Sequence, residues 1–312
     1  MFTTDTKQTT NDIFMLRPAH FGFNAETAED NSFQSNDGEL SEEEIQKLAI
    51  KEYDDLVRRL TDVGITVHSF EDDPSVVTTD AVFPNNWVSF HHGGYVVTYP
   101  MFSPNRRGEK REDIINQLAE NFKIEKRYSF DYYEEKDQFL EGTGSMCLDR
   151  ANQMIYACIS ERTNVKVLEK FAVLSNFRKL MFHAVDRKGD PIYHTYVMMA
   201  IGNKIAVVCL ECVKDEEERK NLVKSLKNGG KEIIDITLEQ MEAYAGNVLE
   251  LQKPDGSGLL VMSEQAFRAF DPEQINTMKQ HVDFLYSPIP TIEKYGGGSV
   301  RCMITEIFLE KK

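Results

Sequence analysis

The chain has 312 residues, 41% of them hydrophobic and 10% aromatic, the make-up of a globular protein with a full core. A formal charge of -15 and a pI near 5.0 argue against nucleic acid or an anionic membrane as the main partner, since polyanions attract basic surfaces; a small polar substrate fits better. No apolar run is long enough to span a bilayer, and the start MFTTDTKQTTND has neither the basic region nor the apolar core of a signal peptide, so the expected location is cytoplasmic.

In chain order, IFMLRPAHF (13–21) reads as a strand. The acidic stretch 24–40 has no period and reads as a solvated loop, with a lid as its functional alternative. The stretch 41–60 predicts an amphipathic helix opened by a capping box from Ser41 to Glu44. Four hairpins follow, with turns at HHGG (91–94), DRANQ (149–153), GNK (202–204) and KPDGSG (253–258). Each precedes a predicted helix, at 108–121, 161–173, 214–228 and 264–280. Each helix precedes a strand, in KIEKRYSF, LMFHAV, EIIDI and VDFLYS. The last run, VRCMITEIFL (300–309), predicts a strand beginning at Cys302. This is one ββαβ phrase repeated about every 50 to 65 residues, with a fifth copy split between the two ends. Five such units around an axis place strands inside, helices outside and an active site on the axis. Residues 1–312 are then one domain whose fifth unit is closed by the N- and C-terminal segments.

Five cysteines, at 147, 158, 209, 212 and 302, form no paired framework, as expected for reduced thiols. Cys209 and Cys212 are spaced C-x-x-C but lie in an apolar run with no second ligand pair, and read as core. Cys302, behind the glycines of YGGGSVRCM, is open to two readings: a small buried hydrophobe, or a nucleophile at the mouth of a strand. Trp87, the only tryptophan, reads as core.

The order DAVFPNNW (80–87), FLEGTGS (139–145), SERTN (160–164), IYHTYVMMAIG (192–202) and GGGSVRCM (296–303) resembles the guanidino-group-modifying enzymes of the pentein superfamily over nearly the whole chain. Within that group it is most similar to the bacterial citrulline hydrolases, often labelled amidinotransferase-like. The resemblance implies an α/β fold, a five-bladed α/β propeller, in agreement with the repeat. It implies that Cys302 is the nucleophile, that His194 protonates the leaving nitrogen and then activates water, and that Glu141 contacts that histidine. It implies substrate contacts from Asn85 and Asn86, and from Arg107 and Arg162 to a carboxylate; Asp80 either meets an α-amino group or holds the NNW turn.

Two departures bear on the substrate. Asn86 stands where deiminases and dimethylarginine hydrolases carry an acid, and Tyr196 where arginine deiminases carry a second one. An amide offers a donor to a neutral ureido oxygen, which favours citrulline over arginine. Succinylarginine dihydrolases, with the asparagine pattern and a guanidinium substrate, keep an arginine, methylarginine or succinylarginine hydrolase open. An amidinotransferase and a non-catalytic binding protein are the remaining alternatives. No metal or organic cofactor is implied, because nucleophile and acid-base group are both side chains. An amino acid is the expected partner, with neither nucleic acid nor membrane, and the oligomeric state is left open.

Overall fold

Pro18 has no N–H to give to a ladder, and the first strand stops just before it, at Asp12–Arg17 (β1). The computed structural model describes residues 7–29 and 31–312, so residues 1–6 of the stretch read for a leader, and Asp30 of the acidic segment, lie outside the described residues. β1 pairs in parallel with Thr66–Glu71 (β2). Three-stranded sheets follow in chain order: Val88–His91 (β3), Tyr95–Thr98 (β4) and Lys126–Ser129 (β5); then Cys147–Asp149 (β6), Met154–Cys158 (β7) and Arg178–Phe182 (β8). After them come Met199–Ile201 (β9), Ile205–Val208 (β10) and Glu232–Asp235 (β11), then Leu249–Gln252 (β12), Gly258–Ser263 (β13) and Val282–Ser287 (β14). The short Thr305–Glu306 (β15) returns to pair antiparallel with β1.

Every sheet has one antiparallel hairpin and one parallel crossover through a helix, as β3–β4 and β4–β5 illustrate. The sheet β15–β1–β2 repeats this with its hairpin made from the two ends of the chain. The first strands of the units are buried along nearly their whole length, whereas third strands such as β5 and β11 expose most of theirs. β15 packs on β3, β6 on β9, and β9 on β12, so the first strands surround the axis. The fold is the five-bladed α/β propeller expected from the repeat, with the helices outside.

The helix Glu42–Asp62 buries Ile45, Ala49, Tyr53, Leu56 and Leu60, one stripe at helical spacing, in which Ile45, Leu56 and Leu60 each contribute roughly 1.5–3 kcal/mol if fully removed from water. Its Glu52 accepts hydrogen bonds at 3.0 Å from the backbone N–H groups of Thr291 and Ile292, tying down the helix Pro290–Gly296 that leads toward Cys302. At its start, Ser41 Oγ accepts from Glu44 N at 3.3 Å, and Ser41 N donates to Glu44 Oε2 at 2.9 Å. Ser41→Ala is expected to lower stability by about 1 kcal/mol, measurable as a shifted urea midpoint at unchanged slope.

Helix ends moved where local chemistry competed. The helix expected over 264–280 is two, Glu264–Ala269 and Pro272–Met278, because Pro272 stops the first and starts the second. The helix expected from 108 begins at Glu112, after a 3₁₀ stretch Pro104–Glu109. Trp87 is fully buried and meets Phe14 edge to face. No described helix is long and apolar enough to cross a membrane.

Candidate active site

Asn86 ends the 3₁₀ turn Pro84–Asn86, two residues before β3. Glu141 precedes the single helical turn Gly142–Ser145 that enters β6, and His194 precedes the turn Thr195–Met198 that enters β9. Cys302 lies in the turn that enters β15. Four units thus deliver a side chain from the same place, the connection into the inner strand. The sequence reading began the last strand at Cys302. Instead, Cys302 N bonds Ser299 O, Met303 N bonds Val300 O and Ile304 N bonds Arg301 O; these tight turns delay the strand to Thr305.

The glycines of LEGTGS make the close approach possible. Gly142 has φ +49°, and a Cβ there would lie 2.3 Å from Asn85 O. A Cβ on Gly144 would lie 2.4 Å from Asn86 Nδ2 and 2.9 Å from His194 Nδ1, so the Asn86 amide and the imidazole share the face of this glycine.

Cys302, His194, Asn86, Asp80, Arg106 and Arg162 line one narrow cavity of about 20 Å³, room for one or two waters. Thr27, Asn31, Gln34, Phe83, Tyr193 and the glycines 296–298 complete its wall. Described residues of the acidic stretch therefore lie at the site, with Asn24 and Thr27 donating to Asp80 Oδ2 at 2.8 and 3.2 Å and Gln34 donating to Gly296 O at 3.0 Å. Residues 36–39 are exposed, as a solvated loop requires.

His194 Nε2 lies 2.8 Å from Glu141 Oε2, and Glu141 Oε1 accepts from Phe102 N at 2.9 Å. Burial alone would raise the Glu141 carboxyl, but Arg162, His194 and Arg106 outweigh it and hold this group well below the ordinary carboxylate range. An ionised carboxylate only accepts, so Nε2 carries the imidazole proton and Nδ1 is left as the basic nitrogen. Burial keeps His194 below its ordinary value despite its bond to Glu141, so the ring is neutral at pH 7. Burial likewise raises the Cys302 thiol, with Asn247 opposing.

Arg106 grips Glu109 through Nε and Nη2 at 2.8 and 2.9 Å and donates from Nη1 to Asn86 Oδ1 at 3.0 Å. Arginine has no acceptor, so the Asn86 amide can be oriented only with its oxygen on Arg106. Asn86 Nδ2 is then a buried donor with no partner among the described residues, and Asp80 Oδ1 is a buried acceptor in the same condition.

Among the other residues read from the sequence, Arg162 is buried at the cavity wall, donating to Thr27 O at 3.3 Å, with its guanidinium carbon 4.9 Å from the centre of the Tyr193 ring. Asn85 is buried but does not line the cavity. Arg107 does not reach it either. It is about one-third exposed and donates to the carbonyls of Met101 and Phe102, while Arg106 takes the inward place. Consecutive residues of a 3₁₀ stretch point about 120° apart, so only one of the pair can face in. The signal was the doubled arginine of NRRGE, with no local mark of which faces the axis. Among the described residues no group of three or more His, Cys, Asp and Glu is placed to hold a metal ion.

A family model described as eukaryotic N,N dimethylarginine dimethylhydrolase matches residues 17–309. Among solved structures, the chain is similar to ArgZ, an arginine dihydrolase from the ornithine–ammonia cycle in cyanobacteria, with a TM-score of 0.74 and 14% identity over 95% of this chain and 40% of that one. For the N-terminal domain of ArgZ with bound substrate the TM-score is 0.72 and the identity 15%, over 96% of this chain and 99% of that domain. A complex of AgrE with ornithine and NAD+ gives a TM-score of 0.74 and 16% identity over 96% of this chain and 40% of AgrE. A dimethylarginine dimethylaminohydrolase bearing an S-methyl-L-thiocitrulline adduct gives 0.65 and 15%, over 96% and 100%. The chain thus spans about two-fifths of ArgZ and AgrE, and at these identities the likeness establishes the fold. No curated protein sequence gives a significant match.

Proposed function

This chain belongs to the N,N dimethylarginine dimethylhydrolase family, hydrolases of guanidino-type carbon–nitrogen bonds, and from that premise we propose that it hydrolyses citrulline to ornithine, ammonia and carbon dioxide through a covalent cysteine intermediate. The observation that carries the choice of citrulline is the Asn86 amide. Its oxygen is taken by Arg106, so it offers the cavity a donor, which suits a ureido oxygen and opposes the N–H groups of a guanidinium. Asp80 Oδ1 is the matching acceptor for an α-ammonium group, and Arg162 the fork for an α-carboxylate.

A ureido carbon is a poor electrophile because its nitrogens feed electron density into it. In this reading His194 Nδ1 takes the thiol proton as Cys302 attacks, and the oxygen gains charge against Asn86 Nδ2. His194 then gives the proton to the leaving nitrogen, and water, activated by the same ring, cleaves the resulting S-carbamoyl thioester to a carbamic acid, which loses carbon dioxide to free the second nitrogen. One water is consumed per citrulline. Arg106, not Arg107, takes the second arginine's place at the site. The five units act as one catalytic domain over 1–312, without metal or organic cofactor, in the cytoplasm, where the thiol stays reduced.

A guanidinium substrate is the second reading, favoured by the family match and by the description of ArgZ as an arginine dihydrolase. Glu141, behind His194, is the anion it would use. Incubation with citrulline, arginine, dimethylarginine and succinylarginine, with ornithine, ammonia and carbon dioxide quantified, decides between them; faster turnover of arginine than of citrulline overturns the first reading. Asn86→Asp is expected to lower citrulline kcat/KM roughly 10- to 100-fold, the worth of one charge-assisted hydrogen bond, while tightening competition by arginine. Asn86→Ala should show the loss without the gain. Tyr196 supplies no second charge, because burial pushes its phenol well above the ordinary tyrosine range even with the Arg301 guanidinium 4.1 Å from its ring.

A further inference from the structure

Four of the five units send a side chain to the site from the connection into their inner strand. The remaining unit has its own residue at that place. Asn247 stands two residues before β12, as Asn86 stands two residues before β3. It is buried, its Oδ1 accepts from Arg301 N at 3.1 Å, and its Nδ2 lies 3.1 Å from Cys302 Sγ and 3.3 Å from Tyr196 O. A backbone N–H can only donate, so the amide oxygen faces Arg301 and the amide nitrogen must face the sulfur.

From this geometry we infer that Asn247 is the positioning residue of the nucleophile, donating a hydrogen bond that holds the Cys302 side chain in place and stabilises its thiolate. The inference rests on Cys302 being the nucleophile and adds the fifth unit to the site. A thiolate accepts a hydrogen bond far better than a thiol, so an N–H aimed at the sulfur favours the reactive form. That matters here because burial works the other way on this thiol. The other charged or titratable groups around it are Arg301 and Arg106, which favour the anion, His194, Asp80, Arg162 and Tyr193 on the cavity wall, and Tyr244. Arg301 is held by Glu306 at 2.9 Å and by Ile304 O at 2.8 Å, so it contributes a fixed field while Asn247 makes the direct contact.

The test compares wild type with Asn247→Ala, Asn247→Asp and Asn247→Ser by the rate at which iodoacetamide modifies Cys302 across pH, located by peptide mass mapping, with thermal unfolding recorded for each. Asn247→Asp is the informative variant. Its carboxylate still accepts from Arg301 N, preserving the structural tie, but it cannot donate to sulfur. The Ala and Asp variants are expected to shift the alkylation midpoint up by about one to two pH units, slowing modification at pH 7 roughly 10- to 100-fold, with kcat falling in parallel and KM little changed. Asn247→Ser, which keeps a donor, should fall between them and wild type and serves if the other two fold poorly. A midpoint for Asn247→Asp equal to that of wild type overturns the inference, leaving a structural asparagine. Should Cys302→Ser retain turnover while the midpoints shift as expected, the nucleophile assignment fails and the contact stands.

Discussion

Cys302→Ser is expected to abolish turnover, by on the order of 10³-fold or more, while leaving the fold intact. A serine hydroxyl fits the same turn, and Asn247 Nδ2 can donate to its oxygen as it does to sulfur, so packing and polar satisfaction survive the change. What is lost is chemical. The hydroxyl is far harder to ionise than the thiol, and the neutral His194 in its buried setting is too weak a base to compensate. Two measurements separate this from mere damage. The variant should unfold within a few degrees of wild type, and acid-quenched wild type, but not the variant, should carry an acyl adduct on the Cys302 peptide. Substantial turnover by the variant would instead mean that His194 activates water directly, with no covalent step.

The second large effect is on stability as well as rate. Glu141 is fully buried, bonded to His194 and facing Arg162 at 3.5 Å and Arg106 at 3.9 Å. Its carboxyl is held low in the folded protein, so its contribution is complete above the unfolded value near pH 4.3 and is lost as pH falls from there through the folded value. His194 is also depressed, through burial, and its contribution fades as pH falls below the unfolded value of about 6.5. Both signs point the same way, toward a protein that weakens progressively in acid. Glu141→Gln removes the anion from between two guanidiniums and is expected to cost about 3–5 kcal/mol at pH 7, the usual penalty for breaking a buried ion pair. The deficit relative to wild type should shrink as pH drops below 4, where wild type loses the same interaction. Urea unfolding at several pH values reads this directly, and a variant as stable as wild type at pH 7 contradicts the charge balance drawn for the site. Activity should fall as well, on the order of 10²- to 10⁴-fold, because an amide no longer fixes the imidazole proton on Nε2.

The five units were legible in the sequence because each is a local pattern. Ser41 and Glu44 announce their helix by cap chemistry, VDFLYS occupies the expected strand residue for residue, and the split fifth unit follows from counting four complete copies. Residue types at the site were legible through motif order, which singled out the positions of Cys302, His194, Glu141, Asn86, Asp80 and Arg162. Three matters were settled only by the tertiary structure. Arg106 rather than Arg107 faces the cavity, because the twist of a short 3₁₀ stretch fixes which neighbour points inward. Asn86 presents a donor because its oxygen is claimed by an arginine 20 residues further along the chain. Asn247 reaches the thiol across 55 residues of sequence, from a YAGN turn with no sign of chemistry in it. Strand and helix periods are written in neighbouring residues, whereas the orientation of an amide or guanidinium depends on the donors and acceptors that other units bring to the axis.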